Sequence, residues 1–191
     1  MPADRLVAAV AAGVTTLGEN RVQEAERKAT AVPGATWHLV GPLQSNKVRR
    51  ALETFDTIQS VDTVALAQRI DRLAADARPG GRVPVLLQVN VDDDATKAGF
   101  APGTLEASIA EILALGRLEV RGLMTIGRLV ERAEEARPTF ASLRALSERL
   151  HASHPTLGAE LSMGMSDDFE IAVEEGATIV RIGRALFGER H

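Results

Sequence analysis

The sequence has no cysteine among its 191 residues, which excludes disulfides, thiolate catalysis and Cys-ligated zinc. It has no block of Lys and Arg interleaved with aromatics, and its formal net charge is -4, so nothing in it favours nucleic acid as a partner. It also has no apolar run long enough to span a membrane. Its start, MPADRLVAAVAAGV, sets an acidic residue before its only Arg and has too short an apolar stretch for a signal peptide. Cytoplasm is the expected location, without a membrane partner. The four histidines, His38, His151, His154 and His191, include no pair at ligand spacing, so no metal is expected. Ser162 and Ser166 lack the flanking glycines of a strained nucleophile elbow, which argues against a serine hydrolase.

What is present is an ordinary globular composition, 45% hydrophobic and 25% charged. A chain of this length can bury roughly 70% of its unfolded surface around one core, so one domain over residues 1–191 is expected. Short β-rich runs alternate with amphipathic helical stretches from end to end. The strand candidates are TTLGEN near 15, TWHLVG at 36, DTIQSVD at 56, PVLLQVN at 84, VRGLMTI at 120, ELSMGMS at 160 and TIVRIG at 178. Helices are expected over Asp4–Ala12, Val64–Ala77 and Leu129–His151. Strict alternation predicts an α/β fold with a parallel sheet and helices outside it, as a closed barrel or an open doubly wound sheet. A full (β/α)8 barrel needs roughly 250 residues and eight strands. The reading is therefore an open sheet, or a barrel lacking its first strand, because the first helix has no strand before it.

Two stretches, LSMGMSDD at 161 and VRIGRALFG at 180, break at small residues where a strand runs into a helix. Backbone N–H groups freed there form a ready anion site, with Ser162 and Gly164 supplying one set and Gly183 the other. The alternative is two turn glycines with a helix cap at Ser166-Asp167-Asp168. Arg181 is a long cation in an apolar strand, on the side of Ile179, and must find a polar interior or a partner such as Glu170. Polar residues also punctuate the strand ends: Glu19-Asn20, Gln44-Ser45-Asn46-Lys47, Ser60, Asp62 and Asn90. In parallel α/β folds ligands bind at those ends. His38 is expected to face inward on the side of Val40, as a ligand contact or as a hydrogen-bonded core residue.

Taken in order, GENRVQEA, WHLVGPLQSNK, SVD, QVN, KAGF, RGLMTI and LSMGMSDDFEIAVEEGATIVRIGRALFG closely resemble the pyridoxal phosphate homeostasis protein family. That family is similar to the alanine racemase N-terminal barrel, and the resemblance implies a (β/α)8 barrel holding pyridoxal 5'-phosphate without established turnover. By the resemblance, Ser162, Met163 and Gly164 and the backbone around Gly183 and Arg184 cup the cofactor phosphate. Arg181 meets the pyridine nitrogen, and Asn20, His38 and Asn46 are further contacts. Many members carry Thr or Ser where Arg184 stands, so the backbone contact carries over and the side-chain contact does not. The family's Schiff-base lysine lies three residues before a proline that resembles Pro2, so it is expected before Met1 together with the first strand, in a longer natural product. The three lysines present are Lys28, expected to be solvated on a polar helix face, and Lys47 and Lys97, nearer the mouth as substitutes. Partners implied are the cofactor and pyridoxal-phosphate-dependent apoenzymes, for a monomer or weak homodimer. A racemase-like enzyme is the alternative, disfavoured because the chain has no tyrosine for the opposing base and ends soon after Gly188. A degenerate fragment that binds nothing is the other.

Overall fold

The structure, a computed structural model, describes residues 1–128 and 130–188. Its strands are β1 (Thr16–Glu19), β2 (Thr36–Leu39), β3 (Thr57–Val61), β4 (Val83–Gln88), β5 (Leu118–Met124), β6 (Glu160–Met165) and β7 (Ile179–Arg181). The helices are α1 (Ala3–Ala11), α2 (Val22–Ala29), α3 (Val48–Thr54), α4 (Val64–Ala77), α5 (Pro102–Leu113), α6 (Arg137–Ser153), α7 (Phe169–Glu174) and α8 (Arg184–Phe187). All seven expected strands are found. Every neighbouring pair is parallel, and the strands follow sequence order from β1 to β7. The sheet curls into a nearly closed barrel with helices outside. Its end strands, β1 and β7, are each bonded to a neighbour on one side only.

Local sequence explains the elements. In α4, Thr63 caps the first turn by accepting from the Leu66 N–H, and Leu66, Ala67, Ile70 and Ala74 make the buried stripe at helical spacing. β3 is buried at all five positions because both faces of a parallel strand are covered, one by helices and one by the barrel interior. That leaves three polar side chains, Thr57, Gln59 and Ser60, inside. Nearly all of the buried apolar residues form one contiguous cluster, with Phe55, Phe140, Leu39 and Ile58 among its largest members.

One helix expectation needs correction. The stretch from Leu129 does not enter α6 directly: a short 3-10 turn, Ala133–Ala136, comes first, and α6 starts at Arg137. Pro138 is the reason. It lacks an N–H and its ring collides with the carbonyl four residues back, so it is tolerated only in a first turn. Leu129 itself lies outside the described residues, as does His191.

Candidate functional site

A cavity of about 830 Å³ opens between β1 and β7, where the two ends of the sheet face each other. Its wall includes Gly18 and Asn20 from the β1 side, His38 from β2, Arg181 from β7, and Ser166 and Gly183 from the loops that follow β6 and β7. Apolar side chains make up much of the remainder, beside polar ones such as Thr16, Glu19 and Gln59, and three of the apolar ones, Val14, Met165 and Leu186, are among the exposed large hydrophobics of the described residues. Arg5 of α1 lies over the Phe187 ring at 5.8 Å and ties the first helix to the last across this opening.

Arg181 is the central polar group. Its Nη1 donates to Ser162 Oγ at 2.8 Å and its Nη2 to the Thr125 carbonyl at 2.7 Å. The expected carboxylate partner Glu170 is not used; both acceptors are uncharged. Burial pushes the guanidinium down to about 10, with Asp168 acting the other way, so it stays charged at neutral pH. Two of its five N–H donors are spent on the protein, and the side chain lines the cavity.

Ser162 is where the structure departs most from the sequence reading. It is 0% exposed and does not line the cavity. Its hydroxyl donates to Gln59 Oε1 at 2.7 Å and accepts from Arg181, so it supports the floor of the site and has no proton left for a ligand. Met163 and Gly164 are likewise buried away from the opening. Gly164 has φ +87°, and a Cβ built there would stand 2.5 Å from Ala172 Cβ, so this glycine exists to let α7 approach β6.

The hydroxyl at the mouth belongs to Ser166. Its Oγ accepts from the N–H groups of Gly183 and Ala185, both at 3.2 Å, and so draws the loop after β6 onto the start of α8. A Cβ at Gly183 would meet nothing within 4 Å, which leaves open space beside those N–H groups. Arg184 points outward and pairs with Asp167, so its guanidinium is held at the rim of the cavity. The cap expected at Ser166-Asp167-Asp168 takes a different form: Asp168 Oδ1 accepts from Met165 N at 2.6 Å, within the turn.

His38 is half-buried, and its Nδ1 meets Gln59 Nε2 at 2.8 Å. Burial lowers its pKa from the ordinary 6.5; Asp56 opposes the shift and Arg121 adds to it. His38 and Val40 both line the cavity, as expected. Asn20 is exposed at the cavity edge, whereas Asn46 is exposed in a 3-10 turn, Ser45–Lys47, outside the cavity wall. Asn90 instead pins its own loop, accepting from Asp94 N and donating to Asp94 O.

The lysines also sort differently. Lys28 is not solvated: its side chain is 15% exposed and its ammonium sits 2.5 Å from Glu19 Oε2 and 3.4 Å from Glu24 Oε2. Burial alone would lower its pKa, but hydrogen bonds and charge from Glu19 and then Glu24 raise it above the ordinary lysine value. Lys97 lies 3.6 Å from Asp94, outside the cavity wall. Lys47 lines a second cavity of about 660 Å³, which shares Glu19, Asn20, Glu24, Val40 and Ile126 with the first.

Residues 2–191 match the family model described as alanine racemase, N-terminal domain. A pyridoxal phosphate homeostasis protein of Pseudomonas aeruginosa is 44% identical over 193 residues, covering 99% of this chain and 80% of the relative. The chain belongs to the pyridoxal phosphate homeostasis protein family. Another member, from Aquifex aeolicus, is 43% identical over 180 residues, 93% of this chain and 78% of the relative. Among solved structures, PipY of Synechococcus elongatus with PLP bound superposes with a TM-score of 0.91 at 46% identity, covering 98% of this chain and 88% of that one. Alanine racemase of Clostridium difficile, at 16% identity and TM-score 0.82, shares the barrel fold over 98% of this chain and 51% of its own. Among the described residues no helix is long and apolar enough to cross a membrane.

Proposed function

We propose that residues 1–191 form a single unit that binds pyridoxal 5'-phosphate in the cavity between β1 and β7, serving homeostasis of that cofactor in the cytoplasm without catalytic turnover. Pyridoxal-phosphate-dependent apoenzymes are the proposed recipients, and the working state is a monomer or weak homodimer. The observation that carries the reading is Arg181, a charged fork with unspent N–H groups in the wall of the cavity, two residues before the open space at Gly183. When bound, the cofactor supplies an electrophilic aldehyde and a ring able to take up electrons. Arg181 can only donate, so a pyridine nitrogen that it meets must accept, stays unprotonated, and makes a poorer electron sink. That suits a carrier. The N–H groups of Gly183 and Ala185, exchanging Ser166 Oγ for phosphate oxygens, would take the phosphate together with the Ser166 hydroxyl, and Asn20 and His38 would contact the ring or its substituents. Ser162, Met163 and Gly164 would act by shaping the floor, and Arg184 and Asn46 from the periphery.

The test is an absorbance titration of the 191-residue chain with pyridoxal 5'-phosphate, followed by borohydride reduction and peptide mass mapping. Saturable binding is expected. Any reduced adduct is expected on Lys47, which adjoins the cavity, and not on Lys28, whose carboxylate partners hold its amine protonated. Folded protein that shows no saturable uptake overturns the reading, and steady interconversion of alanine enantiomers would replace it with a racemase.

A further inference from the structure

Four side chains from four strands make one hydrogen-bonded line across the barrel: Arg181 of β7, Ser162 of β6, Gln59 of β3 and His38 of β2. Hydrogen positions in such a line are settled by the member that has no choice. Arginine has donors and no acceptor, so Nη1 gives its proton to Ser162 Oγ at 2.8 Å. The serine's own proton then goes to the other partner in reach, Gln59 Oε1 at 2.7 Å. This fixes which way the amide faces: its NH2 is turned to His38 Nδ1, 2.8 Å away. An amide nitrogen only donates, so Nδ1 accepts. A neutral imidazole carries one proton, which is left on Nε2.

We infer that Arg181, acting through Ser162 and Gln59, locks His38 as the Nε2–H tautomer, and that this N–H is a fixed donor in the cavity that selects a ligand bearing an oxygen acceptor there. Nε2 has no hydrogen-bond partner among the described residues, although His38 lines the cavity. Burial of the ring favours its neutral form. The charged groups felt by the ring oppose one another, Asp56 towards protonation and Arg121 away from it. An ammonium or amide N–H of a ligand would meet only another donor at this point, whereas a carboxylate or phenolate-type oxygen is matched. Gln59 and Ser162 are thereby positioning residues: Ser162 does not line the cavity, Gln59 lines it with its amide turned to Ser162 and His38, and both decide what His38 presents.

The ligand half of this inference rests on the proposed function; the tautomer half does not, and the two are measured separately. Long-range proton–nitrogen correlation spectra of the ligand-free protein at pH 7.5, with His38 assigned by its loss in His38→Gln, are expected to show Nε2 protonated and Nδ1 bare. In Gln59→Glu the carboxylate can only accept, so the His38 proton is expected to move to Nδ1 or the ring to become doubly protonated. An Nδ1–H signal in the unaltered protein, or no change in Gln59→Glu, overturns the relay. Should Gln59→Glu fail to fold, Ser162→Ala, which cuts the line one step earlier, is expected to give a mixture of tautomers. For the ligand half, pyridoxal 5'-phosphate is titrated as the probe. Gln59→Glu is expected to weaken it about tenfold, and His38→Gln, whose amide can still donate, is expected to retain more affinity than His38→Leu. Equal affinity in all of these with a changed tautomer removes the positioning role. No uptake by the unaltered protein sinks the cofactor reading and leaves the spectra to decide the relay.

Discussion

Arg181→Ala is expected to weaken pyridoxal 5'-phosphate by about 10- to 100-fold and to change the bound spectrum. A hydrogen bond from a charged donor contributes about 1.5–3 kcal/mol, and about 1.4 kcal/mol corresponds to a factor of ten. The same substitution strips the Thr125 carbonyl, on a residue only 1% exposed, of its donor. An orphaned buried acceptor costs about 1–3 kcal/mol, so the midpoint of unfolding is expected to drop as well. Calorimetry and the absorbance titration separate the two effects. Arg181→Lys keeps a charge but not the fork, and it is expected to fall between the parent and Arg181→Ala in affinity. Unchanged affinity in Arg181→Ala, with the protein folded, would show that the ring nitrogen lies elsewhere.

Two glycines separate construction from contact. In Gly164→Ala the new methyl would stand 2.5 Å from Ala172 Cβ and 3.1 Å from Phe169 Cα, at a backbone φ of +87°. Overpacking costs about 1–3 kcal/mol and the left-handed backbone a further 1 kcal/mol or more. At about 2–4 °C per kcal/mol, a loss on the order of 5–15 °C in Tm is expected, read by thermal denaturation. Gly183→Ala meets nothing within 4 Å and has φ -121°, so the fold is expected to stay within about 1 kcal/mol of the parent. Its methyl would instead occupy the space beside the N–H groups of Gly183 and Ala185, and loss of cofactor affinity without loss of Tm is the expected signature. A thermally intact Gly164→Ala would contradict the role given to that glycine.

These cases show what the sequence could and could not convey. The strands were legible as short apolar runs set between helical stretches, even β6, ELSMGM, which has no β-branched residue, and α4 because its cap and apolar stripe are both local. The start of α6 was misplaced since apolar periodicity continues upstream of Pro138, which stops the helix by a backbone effect that periodicity ignores. Lys28 looked solvated on its own helix; the carboxylate that encloses it, Glu19, comes from the end of the neighbouring strand. Ser162 and Ser166 are four residues apart in one motif, and only the bulged register between β6 and β7 decides which hydroxyl reaches the opening. Gln59 gave a signal that went unused: an amide inside TIQSV, in a strand buried at every position, needs partners from other strands.

The order of the strands leaves the cavity bounded by the two ends of the sheet, β1 and β7. Binding energy that joins Arg181 on one end to groups beyond the other therefore accrues to the least supported strands, not to β4 and β5 in the middle. Their local opening is opposed by RT ln(1 + [L]/Kd), a quantity that rises with free ligand and vanishes without it.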